Sequence, residues 1–120
     1  MTRPERASDY LEHIASAIDR ACRYAAHAGS VVRLEQDEQA QDAIVRTLMV
    51  VGEAVTQLQK IAPDFVAAHP EVPWSLMRGM RNKVVHDYID VDLEVVWNTV
   101  EKDLPLLRQQ VARLLQDLTA

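Results

Sequence analysis

Three observations predict an all-α fold for this 120-residue chain. Residues that lose little side-chain freedom in a helix (Ala, Leu, Glu, Gln, Arg) are abundant, while only three glycines and one phenylalanine occur. Apolar residues return at spacings of three and four through several long segments, the mark of amphipathic helices. No period-two alternation of useful length and no internal repeat appear. The expected architecture is a bundle of four main helices with a short extra helical turn, in one domain over residues 1–120.

The first helix is expected in "ASDYLEHIASAIDRACRYAAHAG", with Leu11, Ile14, Ala15, Ile18, Ala21, Cys22 and Ala25 on its apolar face. Ser8 or Asp9 can cap its start, and Gly29 ends it with His27 in the last turn. The next stretch, "GSVVRLEQD", reads as a polar connection. A second helix follows in "EQAQDAIVRTLMVVGEAVTQLQKIA", where Ala40, Ile44, Leu48, Val51, Val55 and Leu58 make one stripe. Val45, Met49 and Ala54 widen it, which suits the centre of a bundle or a bundle that also meets a partner. Pro63 stops this helix, and "PDFVAAHPEVPW" has room for one short helical turn between its prolines.

A third helix begins near Ser75, after Pro73 and Trp74, with Met77, Met80, Val84 and Tyr88 as its apolar row. Gly79 lowers helix propensity there by about 1 kcal/mol relative to Ala, so its presence suggests close approach of another backbone, the second helix being the candidate. The fourth helix, capped by Asp92, runs through "DLEVVWNTVEKDLPLLRQQVARLLQDL" on the stripe Leu93, Val96, Trp97, Val100, Leu104, Leu107, Val111 and Leu114. Pro105 is expected to kink it.

Hydrophobic residues at 48% and charged residues at 26% belong to a globular chain rather than a disordered one. A net charge of −5 excludes nucleic-acid coating by bulk charge, so any RNA role must rest on a local patch. The single cysteine, Cys22, excludes an internal disulfide and a cysteine metal cage. No apolar run approaches the ~18 residues of a membrane span, and the N-terminus lacks the apolar region of a signal peptide, so a cytoplasmic location is expected. His13, His27, His69 and His86 fall on different elements without metal-ligand spacing, and no phosphate loop or serine or cysteine nucleophile signature is present.

One segment stands out. In "RGMRNKVVHDY", Arg78, Arg81, Lys83, His86 and Tyr88 lie within eleven residues, with no acidic residue before Asp87. On a helix Asn82 and His86 share a face, Arg81 and Tyr88 nearly eclipse, and Arg81 and His86 diverge by about 140°. One copy therefore makes a wide, shallow site, and two copies about a dimer twofold can make a compact one. Imidazole moves protons near neutral pH, and guanidinium forks two donors onto phosphate, which suits phosphodiester cleavage without metal or cofactor. On spacing alone the same residues also fit a solvated helix face. Glu53, amid apolar neighbours in "LMVVGEAVTQL", is either an exposed outer residue or a carboxylate paired with Arg81 or Arg78.

"RNKVVHDY" has the RxxxxHxY form of the HEPN motif, and "VGEAV", "HPEVPW" and "DLEVVWNTVEKDLP" surround it in order. The chain resembles the HepT-like family (DUF86), most firmly over residues 42 to 107. The resemblance implies a HEPN-like helical bundle, homodimeric, acting as a ribonuclease toxin beside an MntA-type minimal nucleotidyltransferase antitoxin. It implies Arg81 and His86 as the catalytic pair, Asn82 as their polar companion, and RNA, tRNA among the candidates, as substrate; Glu53, read from its apolar neighbours, is the other supporting residue expected. Arg78 and Lys83 add a local cationic footprint for RNA phosphates. Tyr88 matches the tyrosine that receives AMP groups from the antitoxin, where bulk and negative charge beside Arg81 would exclude the RNA phosphate. A non-catalytic module that binds a nucleotidyltransferase partner or a nucleotide is the alternative.

Overall fold

A computed structural model describes residues 6–80, 82 and 91–119. The described residues build helices and no sheet. Helix α1 spans Ala7–Ala28 and α3 spans Glu38–Ile61, with the five-residue α2, Val31–Glu35, between them. Short helices α4, Pro63–Ala67, and α5, Trp74–Arg78, follow. Helix α6, Leu93–Asn98, passes through a π-helical turn, Thr99–Asp103, into α7, Leu104–Thr119.

The frame is α1, α3 and α7, and its apolar stripes are those the spacing predicts. Leu11, Ile14, Ile18, Ile44, Leu48, Val51, Val55, Leu104 and Val111 are all buried in one continuous cluster. Arg108 on α7 clamps α1 through a two-pronged contact with Asp19, at 2.9 and 3.2 Å. The caps differ from expectation at one end of α1. Arg6 takes the N-cap position, and Asp9 sits three residues inside, where its Oδ2 accepts from the Arg6 backbone N–H at 3.0 Å. Gly29 ends the helix at φ 90°, a conformation glycine adopts without a Cβ clash.

The supposed polar connection after Gly29 holds α2. Ser30 Oγ accepts from the Arg33 N–H at 3.2 Å to start it, and Leu34 buries fully against the core. Gln41 Nε2 on α3 donates to the Leu34 carbonyl at 2.8 Å and locks the end of this turn. The short turn expected after Pro63 is α4, with proline at its first position, where no N–H is needed.

Helix α6 starts where expected, its Asp92 Oδ1 accepting from the Val95 N–H at 3.1 Å. The consequence of Pro105 is the π turn before it. A proline ring clashes with the carbonyl four residues back in an α-helix, and the wider π spacing relieves that conflict, with the Leu104 N–H reaching the Thr99 carbonyl. Thr99 is buried in this turn, and its Oγ1 has no hydrogen-bond partner among the described residues.

Helix α5 is set by its entry. The Trp74 ring is buried and its Nε1–H donates to the His69 carbonyl at 3.0 Å, while Gln110 on α7 donates to the Glu71 carbonyl at 3.0 Å. Met77 and Met80 are fully buried core residues, as read from the sequence. The expected uninterrupted third helix breaks at Gly79, whose N–H bonds the Ser75 carbonyl at 3.1 Å; Met80 and Asn82 are again helical. Of the readings made on the segment that follows, those on Arg81, Lys83, Val84, His86, Asp87 and Tyr88 lie outside the described residues.

Candidate active site

The close helix approach predicted near Gly79 exists, but the glycine that permits it is Gly52 on the opposite helix. A Cβ on Gly52 would stand 2.8 Å from the Arg78 carbonyl oxygen and 3.5 Å from that of Met77. A Cβ on Gly79 would meet only its own preceding turn, at 3.4 Å from the Ser75 carbonyl oxygen. The C-terminal carbonyls of α5 therefore rest directly on the α3 backbone. The "GEA" triplet of the sequence is the seat on which the motif-bearing segment begins.

That contact forms the floor of a solvent-open recess of about 400 Å³. Helix α3 supplies Arg46, Met49, Val50, Glu53 and Thr56 to its wall, and the α5 side supplies Arg78 and Asn82. Of the site residues read from the sequence, the recess brings together Glu53, Arg78 and Asn82. Asn82 is exposed beside it. Gly52 carries no side chain into the space, and Thr56 Oγ1 turns back onto the Gly52 carbonyl at 3.0 Å.

The charges resolve the question left open at Glu53. It is exposed, and its Oε1 accepts from Gln57 Nε2 on its own helix at 3.0 Å. Arg78 does not pair with it; its Nη1 donates instead to Gln59 Oε1 at 2.8 Å. Because that acceptor is an uncharged amide, the arginine is steered without being neutralised. Arg46, exposed on the same wall, makes no hydrogen bond or ion pair among the described residues. Two arginines and one glutamate thus line the recess, with no ion pair among them.

Arg46 is the residue that the sequence reading missed. Its signal was available: Arg46 and Glu53 are seven apart, hence on one face of α3, where Glu53 was weighed only against arginines of the third helix. Met49, counted as widening that stripe, is in fact 43% exposed and belongs to the recess. No group of three or more potential metal ligands occurs among the described residues. No helix among them is long and apolar enough to cross a membrane.

The class of protein defined here is an all-helical bundle that sets an arginine-lined recess against the first described residue of an RxxxxHxY segment. The chain belongs to the HepT-like ribonuclease family: the family model described as "Ribonuclease HepT-like" matches residues 14–114. A protein of Thermococcus cleftensis named "Probable ribonuclease HepT" is 38% identical over 109 residues, covering 88% of this chain and 93% of that protein. A "Putative RNase" of Caldanaerobacter subterraneus subsp. tengcongensis is 36% identical over 110 residues, covering 89% of this chain and 92% of the relative. A Methanocaldococcus jannaschii protein named as a gamma-glutamylcyclotransferase and putative RNase is 28% identical over 113 residues; the match takes in 91% of this chain and 47% of that longer protein. No solved structure matches the chain significantly.

Proposed function

We propose that this chain is an endoribonuclease, the toxin of a toxin–antitoxin pair, whose Arg81 and His86 from two protomers cut RNA at a shared cleft. The observation that carries the reading is the position of Arg78 and Asn82, which flank Arg81 in sequence and open onto a cationic, solvent-facing recess rather than the core. Membership of a ribonuclease family and the names of the relatives support it. The −5 net charge fits a protein that binds RNA at one patch and leaves the rest of its surface repellent to it.

The chemistry runs through side chains alone. One His86 imidazole accepts the proton of a ribose 2′-hydroxyl as that oxygen attacks the adjacent phosphorus. The bond from phosphorus to the 5′-oxygen breaks, and the imidazolium of the second protomer's copy protonates the leaving oxygen. Arg81 meets the charge growing on the non-bridging oxygens, and Asn82 orients the phosphate or the imidazole. The products are a 2′,3′-cyclic phosphate and a 5′-hydroxyl. A general acid–base pair of this kind contributes roughly 10²–10⁴-fold.

Control falls on Tyr88. An MntA-type nucleotidyltransferase antitoxin transfers AMP from ATP to the phenol oxygen, releasing pyrophosphate, and the added adenylate occupies the phosphate position beside Arg81. The site of action is the cytoplasm, where both partners and tRNA are present.

Purified protein free of the antitoxin, incubated with tRNA and a chelator, should release fragments ending in 2′,3′-cyclic phosphate. His86→Ala should abolish that release, and equal cutting by the variant eliminates the reading. Nucleotide binding without RNA loss at high protein concentration favours the non-catalytic module instead. Co-expression with the nucleotidyltransferase should add AMP masses to the intact chain, lost in Tyr88→Phe. An unchanged mass in the parent chain counts against the modification.

A further inference from the structure

Helix α3 orders the recess from end to end. Arg46 and Glu53 lie two turns apart on one face, about 10 Å along the axis at 1.5 Å per residue. Between them stand Met49 and Val50, apolar and lining the recess, while Arg78, which lines it from α5, has its guanidinium held by Gln59, beyond the Glu53 end. A cation at one end, an apolar strip in the middle and a carboxylate at the other end form a graded surface. A bare anion would gain nothing from the strip and would be repelled by the carboxylate. A nucleotide has the matching order: phosphate, flat base, hydrogen-bonding edge.

From this order we infer that the recess is a base-reading subsite for one unpaired RNA nucleotide. Arg46 holds its phosphate, Met49 and Val50 carry the face of the base, and Glu53 reads the edge. The inference rests on the ribonuclease reading for its substrate and goes beyond it in assigning which nucleotide the surface selects. Unpaired bases are recognised in this way by stacking combined with contacts to the Watson–Crick edge.

The edge chemistry selects the base. Ionised, Glu53 is an acceptor only, and one of its oxygens receives Gln57 Nε2 at 3.0 Å, leaving lone pairs for a ligand. Guanine presents two adjacent donors on its Watson–Crick edge and satisfies a carboxylate in bidentate fashion. Cytosine and adenine offer one amino group beside an acceptor, and uracil offers one imino donor between two carbonyls that the carboxylate repels. The subsite therefore favours guanine and disfavours uracil. Arg46, without a partner among the described residues, forms its phosphate contact without first breaking another.

Binding of 5′-GMP, 5′-CMP, 5′-AMP, 5′-UMP and inorganic phosphate to the full chain, followed by backbone amide shifts and calorimetry, tests the assignment without depending on cleavage. GMP should bind tightest, perturbing α3 from Arg46 to Glu53, with inorganic phosphate weakest. Glu53→Gln should erase the GMP-over-UMP preference, roughly a tenfold difference, while retaining affinity for all four. Arg46→Ala should weaken all four nucleotides about equally, also by roughly tenfold, the response of a phosphate contact. Unperturbed α3 amides, or a base preference that survives Glu53→Gln, overturn the inference. Cleavage of RNA strands differing only in the nucleotide beside the cut separates it from the reading beneath it. Strands cut equally whatever that base defeat the subsite alone, whereas GMP binding with no strand cut defeats the nuclease alone.

Discussion

The two faces of helix α3 carry opposite burdens. One face places Ile44, Leu48, Val51 and Val55 in the core at 0% exposure. The other places Arg46, Met49 and Glu53 in the open recess. The faces interleave in sequence, so neighbours such as Leu48 and Met49 answer to different demands. A bundle can thus vary its site by changing one face of a helix whose other face holds the fold. Gly52 is where the two demands meet, since it is buried in the frame and also seats the motif-bearing segment.

Substitutions can separate the faces. Leu48→Ala should cost about 2–5 kcal/mol in denaturant unfolding, because a fully buried leucine leaves a cavity that rigid helices cannot close. A loss under about 1 kcal/mol would mean that this face is loosely packed. Gly52→Ala comes next. Alanine gains about 1 kcal/mol of helix propensity, but its Cβ at 2.8 Å from the Arg78 carbonyl must push α5 away, for a net loss of about 1–3 kcal/mol. The same change at Gly79, where the Cβ finds ordinary contact distances, should be neutral or stabilising by up to about 1 kcal/mol. Equal effects at the two glycines would contradict the seat assigned to Gly52.

Smaller effects sharpen the contrast. Asp92→Ala removes the acceptor of the Val95 N–H and should cost about 1 kcal/mol, read as a lower thermal midpoint. Arg108→Ala breaks the clamp on Asp19, but both side chains are more than a third exposed, so about 0.2–1 kcal/mol is expected, shrinking in high salt. Arg46→Ala, on the recess face, should change stability by no more than about 0.5 kcal/mol while nucleotide binding falls.

The frame was legible because its signal is repeated. Each long helix offers several buried residues at helical spacing, and Gly29, Pro63 and Asp92 mark boundaries by local chemistry alone. Helix α2 escaped because five residues with a single fully buried side chain, Leu34, present no periodicity, and Val32 on it is left largely exposed. The start of α1 slipped by a few residues because Asp9 can satisfy a backbone donor from inside the helix as well as from the cap. Pro105 announced a disturbance but not its form, since a kink and a π turn relieve the same clash. Which of two glycines takes a close contact is a tertiary fact, and sequence spacing does not distinguish Gly52 from Gly79. The site was legible in its motif and not in its surroundings: Arg46 reaches the recess only because α3 and α5 meet at Gly52.

The most direct measurement compares RNA cleavage by the parent chain, Arg81→Ala and His86→Ala, each shown by cooperative unfolding to be folded, at equal concentration and in chelator. The expected result is fragmentation to 2′,3′-cyclic phosphate ends by the parent and a fall of at least about 100-fold in both variants. Folded variants that cut as fast as the parent would contradict the assignment of the chemistry to this motif.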